Sequence, residues 1–376
     1  MNLTPLPIDT VESALSGLTA LLDGAAPALL PVPARDPREA ARLTNALGAG
    51  SPIDDRAALV VATSGTTGTP KGAMLTHEAL LASASGTHER LGGAGQWLLA
   101  MPPHHVAGVQ VMLRSLGAGY TPVGIDVAEG FAPSSLEDGM TRMTAPRRYV
   151  SLVPTQLIKV LADPAATAVL AEFDGVLIGG AACPPPVREA ALAAGVRMVR
   201  TYGMSETCGG CVYDGLALPG VRVALDGDSR VWLGGATVAL GYRGRPDHPA
   251  FARSGWFRTD DAGALSTEGV LSVTGRLDEA ISTGGLTVLP QVVETALAGA
   301  PGVREVAVFG LPDPRLGQRV VAAVVGSATL DELRETVTAT LDRTAAPREV
   351  FHVDELPRRG PGKIDRRALV ERFGGR

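Results

Sequence analysis

The run Thr63-Ser64-Gly65-Thr66-Thr67-Gly68-Thr69-Pro70-Lys71-Gly72 has the residue types needed to hold a chain of phosphates. Glycines let the backbone come close, so that several N–H groups can converge on one anion. The hydroxyls of Thr63, Ser64, Thr66 and Thr67 add donors, and Lys71 adds a positive charge. The common nucleoside-triphosphatase loop needs Gly just before its Lys and Ser or Thr just after it. Here those places hold Pro70 and Gly72, so a different nucleotide-binding arrangement is expected. The plain alternative is a surface loop rich in Thr and Gly. A second such run is Thr201-Tyr202-Gly203-Met204-Ser205-Glu206-Thr207. Tyr202 offers a flat face on which a purine can stack. Glu206 is a hard oxygen ligand suited to Mg²⁺ beside phosphates. Ser and Glu are also common at a capped helix start, which is the alternative here.

Further candidates lie along the chain. Arg114 stands alone in the apolar segment that follows His104 and His105. It is either a structural or snorkelling side chain, or an anion clamp in a pocket. Cys208 and Cys211 form a Cys-x-x-Cys pair, which invites a metal or redox reading. A zinc site would need two more ligands and there is no second pair, so small buried thiols are expected instead. Lys363 stands in a basic, glycine-rich stretch near the end, which is either a solvated terminus or a working loop.

The elements that must position these residues follow from hydrophobic pattern. Ala57–Ala62 is short and apolar with polar flanks and reads as a buried strand. The amphipathic segment from Thr76 to about Ser85 reads as a helix, giving strand, loop and helix in succession. Helices are expected at Ala14–Leu22 and Pro37–Leu47. Strands are expected at Gln96–Pro103, Tyr149–Gln156, Gly175–Ala182 and Val196–Arg200, with an apolar helix up to Ser115 and another at Leu157–Leu161. Short strands with Gly turns between Pro219 and Tyr242 read as a small β-rich part. From Val288 on, helix, strand, turn, strand, helix and strand alternate as in a compact α+β unit.

Composition bounds the rest. The chain has 376 residues, 45% hydrophobic and 19% charged, with 46 Gly and 28 Pro, which fits a loop-rich globular enzyme of two or three domains. Aromatics are only 4%, so the core must be mostly Ala, Val and Leu. A net charge of −5 gives no reason to expect nucleic-acid binding. An odd count of three Cys makes no disulfide framework. There is no basic start with a long apolar core, and no apolar run of membrane-spanning length. A cytoplasmic protein with no membrane association is expected.

Taken in order, these runs resemble the signature motifs of the adenylate-forming superfamily, which includes acyl-CoA synthetases, luciferases and peptide-synthetase adenylation domains. The resemblance covers roughly residues 55–376. It implies an α/β fold: a large N-terminal adenylating domain (1–277) of α/β subdomains with a small β subdomain, and a small mobile α+β C-terminal domain (278–376). It implies that the loop Thr63–Gly72 holds ATP phosphates, that Gly179, Gly180 and Ala181 lie against adenine and acyl group, and that Tyr202, Gly203 and Ser205 line the same site. Thr207 would donate to the α-phosphate, and Glu206 would carry Mg²⁺. Trp256-Phe257-Arg258-Thr259-Asp260-Asp261 is similar to the family's ribose motif, with Asp260 in place of Gly; Asp261 would take the ribose hydroxyls and Arg276 the ribose or phosphate. Asp278 would be the hinge. Leu356 to Arg366 resembles the closing motif, in which Lys363 bridges substrate carboxylate and α-phosphate.

The pattern His105, Gly108, Arg114 looks like the o-succinylbenzoate–CoA ligase branch of that superfamily, which serves menaquinone synthesis. There His105 and Gly108 would line the acyl pocket, and Arg114 would pair with the carboxylate that is not activated. The reaction implied uses ATP, Mg²⁺ and coenzyme A with a small carboxylate substrate, and a homodimer is left open. The other readings kept are a different acyl- or aryl-CoA ligase, an amino-acid adenylation domain, and a non-catalytic nucleotide-binding regulator.

Overall fold

In the computed structural model, residues 1–63, 70–359 and 363–375 are described. The apolar run Ala57–Ala62 forms the strand Ala57–Thr63 in a five-stranded sheet. Its order is Thr4–Ile8, Leu29–Pro33, Ala57–Thr63, Lys71–Thr76 and Gly241–Tyr242. The expected strand, loop and helix succession is corrected here. Lys71–Thr76 is itself a strand, antiparallel to Ala57–Thr63, with Lys71 opposite Thr63. Ala73 and Leu75, two residues apart, are both fully buried, the period of a strand. The helix His77–Arg90 starts only after Thr76, whose hydroxyl accepts the Ala79 N–H at 3.1 Å.

A second sheet has seven strands, in the order Leu216–Ala217, Gly209–Tyr213, Met198–Met204, Gly175–Ile178, Arg148–Leu152, Gln96–Leu99 and Val123–Gly124. The last five run parallel to their neighbours, and Gly209–Tyr213 is antiparallel to Met198–Met204. Parallel strands are covered by helices on their faces, so they are apolar throughout. Leu98, Val150, Leu152, Val176 and Ile178 pack with Leu136, Leu157, Leu170 and Phe173 from the crossover segments. The strand expected at Val196–Arg200 runs on to Met204, so Tyr202 and Gly203 lie on it rather than after it. The helix expected from Leu157 starts at Pro154, a residue favoured in the first helical turn because its missing N–H would have no partner there.

In the small β-rich part, Trp256–Leu265 and Leu271–Arg276 pair antiparallel, with Asp261 opposite Arg276. Beyond it, Val303–Asp313 and Gly317–Gly326 form a long hairpin. Val320 to Val325 alternate between two cores. Val320, Ala322 and Val324 meet Val293 and Leu297 of the helix Pro290–Leu297 and Leu333 and Val337 of the helix Leu330–Thr338. Val321, Ala323 and Val325 meet Leu369 and Phe373 of the helix Arg366–Phe373. Covering both faces explains why this stretch is one unbroken apolar run.

The chain divides into two units. One is Met1–Cys183, Val187–Ala224 and Trp232–Arg258; the other is Pro184–Pro186, Leu225–Val231 and Thr259–Arg376. Among the described residues, no helix is long and apolar enough to cross a membrane.

Candidate active site

In the first unit, the candidate residues gather where the parallel strands end. Open α/β sheets place ligands beyond the carboxyl ends of their strands. His104 and His105 follow Gln96–Leu99, Val153 follows Arg148–Leu152, and Gly179 and Gly180 follow Gly175–Ile178. The turn Ser205–Thr207 follows Met198–Met204. Gly179 lies against Thr201, so a Cβ there would collide with the Thr201 hydroxyl. Ala181 follows directly on Gly180, which lies beside Val153. Gly203 has a stricter reason to be glycine: a Cβ would run into the Gly209 carbonyl on the neighbouring strand.

The strand that carries Lys71 is a neighbour of the turn Ser205–Thr207. Tyr242 joins them. Its ring lies under the Lys71 ammonium, 4.6 Å from Nζ to centroid, and its hydroxyl donates to Glu206 Oε1 at 2.6 Å. Glu206 is buried, at 7% exposure. A cation and a carboxylate are thus held on one phenol. Tyr242 did not stand out in the sequence, where it closes a glycine-rich turn. The signal for it is pairing: Gly241–Tyr242 runs antiparallel beside Ala73 and Met74, close to Lys71. The Thr207 hydroxyl is spent locally, accepting the Met204 N–H at 3.0 Å and donating to the Gly209 carbonyl at 2.8 Å. The Thr63 hydroxyl is buried with no hydrogen-bond partner among the described residues. Ser64, Gly65, Thr66, Thr67 and Gly68 lie outside the described residues.

The helix Val106–Gly117 begins at His105, whose ring lies 4.3 Å from that of His104. Gly108 abuts the backbone of Pro102 and Pro103, so a Cβ there would meet the Pro102 carbonyl. Arg114 is 3% exposed, which removes the snorkelling alternative. Its guanidinium lies 5.1 Å from the Trp97 ring, and its Nε has no hydrogen-bond partner among the described residues. Burial lowers its pKa, against the opposing influence of Tyr213 and Cys208. Beside it His88 accepts the Trp97 indole N–H at 3.2 Å. Burial first, and the Arg114 charge next, hold this imidazole down at about 4 and therefore neutral. Cys208 and Cys211 are fully buried free thiols, the latter raised to about 12 chiefly by burial. No cluster of three or more metal-ligating side chains occurs among the described residues.

In the second unit, Arg276 grips Asp278 with two bonds of 2.8 and 2.7 Å and reaches Asp261 at 3.4 Å. Asp261 is buried; its N–H donates to the Thr259 hydroxyl at 3.0 Å. Asp260, the departure from the family motif, turns outward and pairs with Arg230 at 3.1 Å. Lys363 is exposed on the short strand Lys363–Ile364, which pairs with Arg358–Arg359. The glycines just before it, at 360 and 362, lie outside the described residues.

Lys71 on one sheet, glycine turns and a buried glutamate at the strand ends of another, and a lysine-bearing α+β unit are features of an adenylate-forming enzyme. The chain belongs to the AMP-binding enzyme family: that family's model matches residues 11–241, and the AMP-binding enzyme C-terminal domain matches residues 292–363. It is 58% identical over 368 residues to a protein of Mycobacterium tuberculosis described as a probable 2-succinylbenzoate–CoA ligase, covering 96% of this chain and 95% of that one. A sulfoacetate–CoA ligase of Cupriavidus necator is 33% identical, covering 85% of this chain and 68% of that protein. Among solved structures, wild-type Escherichia coli MenE with a bound phenylether-linked analogue of OSB-AMS matches with a TM-score of 0.78 at 27% identity, over 100% of this chain and 88% of that one.

Proposed function

We propose that this protein is the ligase that joins 2-succinylbenzoate to coenzyme A at the expense of ATP, in menaquinone biosynthesis. The observation that carries the substrate is Arg114. A buried guanidinium with an unpartnered Nε is costly, and a second carboxylate on the substrate would remove the cost. The strong likeness to the Mycobacterium protein supports the same substrate.

In the first half-reaction the substrate carboxylate, already ionised at neutral pH, attacks the α-phosphate of ATP, and pyrophosphate leaves. No general base is needed. The chain supplies position and charge. The loop from Thr63 to Gly72 would hold the β- and γ-phosphates with Lys71, Gly179 to Ala181 and Tyr202 would flank the adenine, and Asp261 and Arg276 would take the ribose. Lys363 would bridge the carboxylate and the α-phosphate. Glu206 fits a Mg²⁺ site: it is a buried carboxylate beside the strand of Lys71, and Mg²⁺ often takes one or two carboxylates plus substrate phosphates. Bound there, the ion would supply charge neutralisation for the phosphates. In the second half-reaction the coenzyme A thiol attacks the acyl-adenylate carbonyl and AMP leaves, after the C-terminal part turns about Asp278. Cysteines that form no disulfide among the described residues suit a reducing cytoplasm.

Pyrophosphate release with ATP, Mg²⁺, coenzyme A and a panel of acids tests the reading. Turnover is expected with 2-succinylbenzoate and not with benzoate, fatty acids or amino acids. Turnover confined to another acid would keep the ligase and discard this substrate. No release with any acid would favour a nucleotide-binding regulator.

A further inference from the structure

The helix Val106–Gly117 is buried along most of its length, and three of its buried residues are polar: Gln110, Arg114 and Ser115. Ser115 is accounted for, since its hydroxyl accepts the Trp97 N–H at 3.1 Å. Gln110 is not. It is 1% exposed, and neither its amide nitrogen nor its amide oxygen has a hydrogen-bond partner among the described residues. Four residues apart, Gln110 and Arg114 lie on one face of the helix. Val106 extends the row towards the His105 end. That face is turned to the Cys208-Gly209 corner: a Cβ on Gly209 would lie 3.7 Å from Gln110 Cγ and 3.9 Å from Val106 Cγ2. This corner directly follows Glu206 and Thr207, and both its residues have left-handed backbones, with φ of 56° and 88°. Gln110 thus stands between the site end of the helix and the deep Arg114.

An unpaired buried amide carries a desolvation cost for each group left unsatisfied. Leu or Met would fill the same space without that cost. Two neighbouring polar side chains, both nearly sealed from water and both short of partners, point to a ligand that completes them. The charge fixes its sign: Arg114 attracts an anion, and the Gln110 NH₂ donates to one.

We infer that Gln110 and Arg114 form one anion subsite, in which the Gln110 amide donates to the substrate carboxylate that does not react. Arg114 supplies the charge and Gln110 the direction, so Gln110 sets the preference for a dicarboxylate aromatic acid over a monoacid of the same shape. This rests on the substrate reading above. Gln110 takes no part in the bond-making steps.

The test is steady-state kinetics of the full chain with Gln110→Met, which keeps the volume, and Gln110→Glu, which adds a like charge. The acids are 2-succinylbenzoate and its two analogues that each lack one carboxylate; whichever analogue turns over is the comparator. Hydrogen bonds to charged groups are among the stronger ones, so Gln110→Met is expected to raise KM for 2-succinylbenzoate on the order of tenfold to a hundredfold. The KM for ATP, and kcat/KM for the comparator, should stay within about twofold of the wild type. Gln110→Glu should raise the same KM further. An equal change for both acids, or none for either, overturns the inference and leaves the substrate reading intact. No turnover of 2-succinylbenzoate by the wild type overturns both.

Discussion

Arg114 packs on Trp97, and the proposed function gives the same side chain a part in recognition. Its guanidinium is stacked on Trp97 and removed from water, so it stores attraction for an anion. Losing one side of a buried charge pair costs about 3–5 kcal/mol. Arg114→Ala is therefore expected to raise KM for 2-succinylbenzoate by at least about a hundredfold while the KM for ATP moves little. Equal change in both constants, measured by pyrophosphate release, would remove Arg114 from the acyl pocket. The residue was legible in the sequence because an arginine in an apolar segment asks for an explanation. Its burial was not legible, since snorkelling and clamping give the same pattern. Tyr242 was illegible for a different reason. Its partners Lys71 and Glu206 are far away in sequence, and only the pairing of Gly241–Tyr242 with Lys71–Thr76 brings them together.

Among the elements, the helix Arg366–Phe373 packs Leu369 and Phe373 into its unit's core and adds a polar tie through Arg366. Arg366 donates to Glu279 at 2.7 Å, to both oxygens of Glu294 at 2.6 Å and to the Val308 carbonyl at 3.0 Å. Glu279 belongs to the turn Leu277–Glu279 that contains Asp278, and it also accepts from Gln291 at 2.6 Å. Burial raises the Glu294 carboxyl, and Arg366 opposes that shift, so the pair depends on staying together. Arg366→Met should leave Glu294 buried and unmatched, and lower stability by about 3 kcal/mol. A urea midpoint unchanged from wild type would contradict this. From Pro290 to His352 the helices and strands of this unit follow the expected order, because alternation and capping are local signals, whereas the helix Arg366–Phe373 was not foreseen. Lys71–Thr76 did not, since its length and apolar content are compatible with the start of the helix that follows.

The molecule as a whole has two units and two half-reactions. Lys363 and the ribose-type residues Asp261 and Arg276 belong to the second unit, while Lys71, Tyr202 and Glu206 belong to the first. If Lys363 serves only the first step, Lys363→Ala should abolish adenylate formation, yet still make the thioester when given the acyl-adenylate and coenzyme A. Comparable loss in both assays would give Lys363 another role. The order of motifs made the superfamily legible from the sequence, and the family matches bear it out. The arrangement of the groups at the end of each strand was not legible, because crossovers bring together residues that no local pattern connects.

The stack of Trp97 on Arg114 has an optical consequence. Excitation shifts electron density within the indole, so its emission responds to a charge lying on its face. The chain has three tryptophans, and Trp256 is likewise flanked by the guanidinium groups of Arg222 and Arg253, at 4.9 and 4.4 Å. Trp97 alone of these two touches the cation assigned to the acyl pocket. On the role proposed for Arg114, arrival of a carboxylate would register as a change of colour in the Trp97 emission before any bond is made.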